Sequence, residues 1–210
     1  MCFSATWRVI SFNSSTMKSI VHATVAVAFG LIAAHAAEIG KPAPDFSEKN
    51  TNGQTVSLAD LKGKVIVLEW VNYNCPFVKR HYSSGNLPKL QETYTGKDVV
   101  WLTVSSAAEG KQGYHEAGKM AEVSKEQQNK ASHILIDVDG TMGKSYDAKV
   151  TPHMFIINKD GILVYDGAID SDPKDPATAD KLFANALDAV LAGTAVQNPK
   201  NKPYGCGVKY

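Results

Sequence analysis

Short apolar runs alternate along this chain with longer, mostly polar segments, and that alternation sets out the elements before any chemistry is considered. Val65-Ile66-Val67-Leu68-Glu69-Trp70-Val71 is nearly continuous, the pattern of a strand buried on both faces. Val99-Val100-Trp101-Leu102-Thr103-Val104 repeats it, and His133-Ile134-Leu135-Ile136 gives a shorter strand. Met154-Phe155-Ile156-Ile157 and Ile162-Leu163-Val164-Tyr165 flank Asn158-Lys159-Asp160-Gly161, which predicts a hairpin turning at Asp-Gly. An earlier hairpin is expected over Phe46–Val56, around Asn52-Gly53.

Helical segments fill the gaps. Ser57 to Gly63 reads as one helical turn closed by glycine, and a longer helix is expected just after Cys75, with Pro76 at its first position. The polar stretch from about Gly113 to Ala131 carries a thin apolar stripe at Tyr114, Ala117, Met120 and Ala121. The last helix is expected to be capped by Asp175, opened by Pro176 and ended by Gly193. Its buried stripe is Leu182, Phe183, Ala186, Leu187, Val190 and Leu191. An extended tail, residues 194–210, follows. Alternating βα units, an antiparallel hairpin and a closing helix predict an α/β fold, a mixed central sheet with helices on both faces.

At 210 residues, 44% of them hydrophobic, the chain fits one domain with extra segments and has enough apolar surface for a full core. A net charge of +1 from 22 basic and 21 acidic residues gives no basic face of the kind nucleic acid requires. Lys18 precedes an apolar run from Ile20 to Ala34, and Ala34-His35-Ala36 offers small residues where a signal peptidase reads. Residues 1–36 are therefore expected to be a signal peptide, with Met17 a candidate true start, and residues 37–210 the exported, periplasmic or secreted domain. The alternative is a membrane anchor, for which the run is short and lacks a basic stop-transfer flank. Cleavage would remove Cys2 and leave Cys75 and Cys206, in a compartment where a disulfide persists.

Asn72-Tyr73-Asn74-Cys75-Pro76-Phe77-Val78 sits where a buried strand hands over to a helix. Free backbone N–H groups and the positive end of the helix dipole favour a thiolate there, and Lys79 and Arg80 add positive charge nearby. The bland alternative is a buried cysteine serving as a small apolar side chain.

The order strand, Cys75-Pro76, helix, then Val150-Thr151-Pro152 before a strand, an Asp-Gly hairpin and a final helix resembles the redoxin branch of the thioredoxin superfamily. It is most similar to the peroxiredoxin-like (AhpC/TSA-like) proteins that keep only the first cysteine of Cys-x-x-Cys. The resemblance covers about residues 39–192 and implies a thioredoxin-like fold and thiol-dependent oxidoreductase activity on hydroperoxides or protein disulfides. It puts Cys75 at the nucleophile, Val78 at the lost resolving cysteine, and Pro152 at a cis-proline against the site. Thr151 would offer backbone groups to substrate, with Pro76 beside it, and Glu69 would be a buried carboxylate that moves protons for the thiol. The alternatives are a trans Pro152 and a solvent-facing Glu69.

Two positions depart from the peroxiredoxin pattern. Asn72 stands where a Thr or Ser is usual, and Leu68 where a Pro is usual, although Asn72 offers a hydrogen bond to a bound oxidant. Cys206, in a glycine-flanked tail, is the candidate resolving thiol, expected to swing to Cys75; a static bridge pinning the tail is the alternative. His153, next to Pro152, is expected near Cys75, where it would tune the thiol or join Cys75 and Cys206 as a soft ligand set for copper or zinc. No spacing matches a closed zinc site, and no cofactor is implied. His81 is expected to be a partly exposed polar residue, and Asp166, Asp170, Asp172 and Asp175 a solvated acidic loop. The partners implied are an external thiol reductant and a peroxide or protein-thiol substrate, with no nucleic acid and no stable membrane insertion after cleavage. A non-catalytic binding module on the same fold remains the third possibility.

Overall fold

The chain first makes the expected hairpin, β1 (Ser47–Asn50) and β2 (Thr55–Ser57). Asn50 shapes its turn: Oδ1 accepts from the Asn52 and Gln54 amides at 2.9 and 3.0 Å, and Gly53 supplies the left-handed residue. The computed structural model describes Met1, residues 37–174 and residues 178–210. Apart from Met1 the expected leader lies outside the described residues, with Met17 and Cys2 in it, and so do Asp175 and Pro176. A single 3-10 turn, Leu58–Leu61, follows the hairpin, with the Asp60 amide donating to the Ser57 hydroxyl.

Next come β3 (Ile66–Trp70), α1 (Pro76–Ser83) and α2 (Asn86–Thr95), the two helices separated by Gly85 in a left-handed conformation. β4 (Val100–Ser105), α3 (Ala117–Glu126), β5 (His133–Ile136) and α4 (Thr141–Ser145) continue the chain. β6 (Val150–Thr151), β7 (His153–Ile157), β8 (Leu163–Gly167), α5 (Leu182–Leu191) and β9 (Cys206–Gly207) complete it.

Seven strands form one mixed sheet in the order β2-β1-β5-β4-β3-β7-β8. β3 pairs in parallel with β4 and antiparallel with β7, so it is central. Its alternation sorts the core into two layers: Ile66, Leu68 and Trp70 enter one, and Val67 the other. Val67's layer is filled by Val78 and Tyr82 of α1, Leu87 and Tyr94 of α2, Met120 of α3 and Phe183 and Leu187 of α5. The opposite layer takes Met142 of α4 with Phe46, Tyr146 and Ala148. Both faces are thus covered, as the near-continuous apolar strands require.

Three expectations are corrected. The polar stretch is helical only over Ala117–Glu126, because Gly113 and Gln128 take left-handed conformations on either side. Tyr114 stays in a turn, its amide on the Lys111 carbonyl. The last helix begins at Leu182, six residues after Pro176, with Phe183 seated by its amide on the Ile169 carbonyl. The tail is not a free arm. Asn201 ties it to Tyr165 and to the Ala168 amide, β9 pairs antiparallel with β6, and the Tyr210 hydroxyl donates to the Ala148 carbonyl at 2.7 Å. No helix among the described residues is long and apolar enough to cross a membrane.

Candidate active site

Cys75 is the N-cap of α1, extended at φ −72° and ψ 126°, with Pro76 next to it where a missing N–H costs nothing. The loop before it is built by Asn72, whose Oδ1 accepts from the Asn74 amide and whose Nδ2 donates to the Gln112 carbonyl. Gly113 packs flat on that amide; a Cβ there would lie 2.5 Å from it. Asn72 thus shapes the loop that leads into the cysteine.

Cys75 as a residue is 1% exposed. It does not sit in plain hydrocarbon, for Cys75 Sγ lies 3.1 Å from the Thr151 carbonyl, to which the thiol donates. The Thr151–Pro152 peptide is cis, and β6 carries Thr151 to the sulfur. On the other side of Thr151 runs β9, in register Thr151 with Cys206. Gly205 leads into it at φ 143°, so close that a Cβ would meet the Thr151 oxygen at 2.0 Å. Glycine is required there on both counts.

Both cysteines are free thiols, and β9 brings Cys206 into register with the Thr151 that Cys75 contacts. Burial pushes the Cys75 thiol up, but the Cys206 side chain, the N–H groups of Val78 and Cys206 and the Thr151 side chain outweigh it. The net effect holds Cys75 below its ordinary value. The Val78 amide acts as part of the helix N-terminus, without closing a side-chain cap. Cys206 moves the opposite way: burial and the neighbouring Cys75 push it up to about 11. The two shifts run in opposite directions, so Cys75 is the more acidic thiol of the pair.

Glu69 faces the same layer as Cys75 and is fully buried. Its carboxylate accepts from Tyr82 Oη at 2.8 Å, Gln91 Nε2 at 2.8 Å and Trp101 Nε1 at 2.7 Å. Burial raises its pKa to about 7 against the pull of those three donors. Asn129 extends the network, its Nδ2 lying 2.9 to 3.0 Å from the hydroxyls of Tyr73, Tyr82 and Thr103. Tyr73 and Tyr82 meet edge to face, 5.2 Å between centroids, in the core layer that also holds Cys75. Glu69 reaches the cysteine's surroundings through these tyrosines, not by direct contact.

The structure thus brings Cys75, Cys206, Thr151 and Pro152 together, with Pro76 exposed beside them. Other expected positions fall elsewhere. Lys79 points outward and is exposed. His153 lies on the opposite face of the sheet, stacked near Phe155, with Nε2 2.8 Å from Asp166 Oδ1 and the Lys149 amide facing Nδ1. One residue after the proline, the strand alternation turns its side chain away from the sulfur. It is not brought to the two cysteines, so the copper or zinc set loses its third ligand; among the described residues no other cluster of three or more such groups stands in.

His81 is buried rather than partly exposed, and Asp166 and Asp170 are buried rather than solvated. Asp166 bonds His153 and Lys200; burial works against ionisation, yet those two partners hold its carboxyl below the ordinary value. Sequence reasoning missed Tyr73, Tyr82, Gln91, Trp101 and Asn129 around Glu69, and Tyr204 beside Cys206. Tyr82 alone had a legible signal, seven residues along α1 from Cys75 and so on the same helix face.

A strand–cysteine–helix junction facing a cis-proline across a mixed sheet defines a thioredoxin-like protein. The AhpC/TSA family model matches residues 39–166, and the chain belongs to that family. Among curated proteins of Bacillus subtilis, it is 28% identical to the thiol-disulfide oxidoreductase ResA over 60% of this chain. It is 26% identical to the peroxiredoxin Bcp over 60% of this chain and 82% of Bcp. The chain spans 64% of ResA's length. An uncharacterised conserved protein from Geobacillus kaustophilus has a similar structure, with a TM-score of 0.73 and 30% identity over 82% of this chain and 92% of that one. A protein from Sinorhizobium meliloti shares the fold at a TM-score of 0.73 and 23% identity.

Proposed function

We propose that this protein is an exported thiol-disulfide oxidoreductase in which Cys75 attacks and Cys206 resolves. The carrying observation is geometric: Cys75 Sγ lies 3.1 Å from the Thr151 carbonyl, and β9 pairs Cys206 with that same Thr151, so one residue gathers both cysteines. Similarity to ResA supports the class of reaction, and the leader-like residues 17–36 support export.

In the reducing direction the Cys75 thiolate attacks one sulfur of a target disulfide; the other sulfur leaves as a thiolate and takes a proton. Cys206 then gives up its proton and attacks the Cys75 sulfur, releasing the second target thiol. The target disulfide is reduced to two thiols, the Cys75–Cys206 pair is oxidised to a disulfide, and an external dithiol restores it. Glu69, with a pKa near 7, is suited to accepting or supplying the protons through its tyrosines.

A protein disulfide is favoured over a hydroperoxide by one feature: β6 already holds an extended peptide, β9, across the sulfur. The likeness to Bcp supports the peroxide reading, in which Cys75 is oxidised to a sulfenic acid with release of an alcohol or water. Cys206 then condenses with it to the same disulfide, releasing water. The test is single-turnover oxidation of the reduced protein by a protein disulfide and by hydrogen peroxide, with the Cys75–Cys206 bond located by mass spectrometry. Both oxidations are expected to vanish in Cys75→Ser; reduction of either oxidant by that variant overturns the proposal. Faster oxidation by peroxide than by the protein disulfide would move the function to peroxidase.

A further inference from the structure

Two residues before Cys206, Tyr204 is inserted between α1 and the loop after β8. Its hydroxyl donates to Asp170 Oδ1 and lies 3.0 Å from His81 Nε2, and His81 Nδ1 lies 2.9 Å from Asn86 Nδ2. With Asn86 donating to Nδ1, the imidazole proton sits on Nε2 and is given to the tyrosine oxygen. The tyrosine proton passes on to the carboxylate, and each donor is used once. The ring itself packs edge-on against Phe77, 5.6 Å between centroids.

The rest of the cluster is unusual. His81 and Asp170 are both buried, and a buried imidazole and carboxylate this near each other ordinarily pair directly. Here the tyrosine intervenes. His81 Nε2 stays 3.8 Å from Asp170 Oδ2, and that oxygen accepts no hydrogen bond among the described residues.

The tail around this tyrosine is a strap anchored at both ends, by Asn201 on β8 and by Tyr210 on Ala148. Between those anchors Tyr204 bonds to His81 of the helix that Cys75 caps, and Tyr204 and Cys206 both pack against the core layer in which Cys75 is buried.

We infer that Tyr204 is a positioning residue, a releasable latch that holds Cys206 over Cys75 and controls when Cys75 is open to a partner. Its hydroxyl bonds keep the strap down. When it leaves, His81 and Asp170 need close only a short gap to pair with each other, so neither buried group is stranded and the latch can open without disturbing the core. The inference rests on the proposed function for the role of Cys206; the covering of Cys75 is a matter of geometry alone.

The test uses the full chain, fully reduced, with iodoacetamide as the probe at neutral pH and the adduct on Cys75 located by mass spectrometry. Tyr204→Phe keeps the ring on Phe77 and removes only the hydroxyl. It is expected to speed Cys75 alkylation about tenfold, the fold-change for losing one hydrogen bond to a charged group. Amide exchange at Cys206 should quicken by the same factor, and exchange at Leu68, in the sheet centre, should not change. Asp170→Asn keeps an acceptor for the tyrosine but removes its charge, and is expected to give an acceleration smaller than that of Tyr204→Phe. Alkylation of Tyr204→Phe within about twofold of the parent overturns the inference, as does equal acceleration at Leu68, which would make the hydroxyl a support of the whole fold. Persistence of turnover in Cys75→Ser would overturn the function and leave the alkylation result standing.

Discussion

Cys75 is buried, and burial by itself makes a thiol a poorer acid; what reverses the sign is a handful of donors aimed at one atom. Cys206 is the foremost of them. Replacing it with alanine removes that donor, so the thiolate titration of Cys75, followed by ultraviolet absorbance, is expected to move upward in Cys206→Ala. Glu69 makes the complementary case. Its folded pKa of about 7 lies above the 4.5 of an ordinary glutamate, so the folded state holds its proton more tightly than the unfolded one. The protonated form is fully favourable below about 4.5, and stability is lost as pH rises through 7. The shift corresponds to roughly 3 kcal/mol across that window. Urea unfolding of the parent and of Glu69→Gln at pH 5 and pH 8 is expected to show the parent losing that advantage at the higher pH. A difference independent of pH would mean that Glu69 stays ionised throughout.

Between β6 and β9 only four residues are paired, and the approach of the two strands hangs on Gly205. A methyl group there meets the Thr151 carbonyl and forces an unfavourable φ, at a cost of about 2 kcal/mol or more. Gly205→Ala is accordingly expected to lift β9 and slow formation of the Cys75–Cys206 disulfide at least about tenfold, read by quenched mass spectrometry after oxidation. At this scale the sequence was uneven in what it disclosed. The strands were legible because β3, β4, β5, β7 and β8 are short apolar runs between turn residues. The start of α1 was legible because proline after cysteine marks a first helical position. The limits of α3 were not, since Gly113 is set by its contact with Asn72, forty-one residues away, and Asn129 by three partners on other elements. The start of α5 failed for the same reason: Asp175-Pro176 is a sound local opening, but Phe183 docks under Ile169 and decides where the helix begins.

Across the whole molecule, Cys75 and Cys206 lie about 130 residues apart, so their disulfide would close most of the domain into one loop. The chain-entropy model gives such a loop about 4–5 kcal/mol. The oxidised protein is therefore expected to unfold at a clearly higher temperature than the reduced protein, and the difference should vanish in Cys206→Ala; identical midpoints would show that the bond does not form. The same long separation marks the boundary between what the chain states locally and what folding adds. Apolar periodicity, turn pairs and the Cys75-Pro76 step were enough to define an α/β domain with a thiol at a strand–helix junction, because each is a property of neighbouring residues. That Cys206 is strapped beside Thr151, that His153 turns to Asp166, and that His81 and Asp170 flank Tyr204 all depend on segments distant in sequence meeting in space. Such meetings follow from strand register and packing, which no short stretch of sequence encodes by itself.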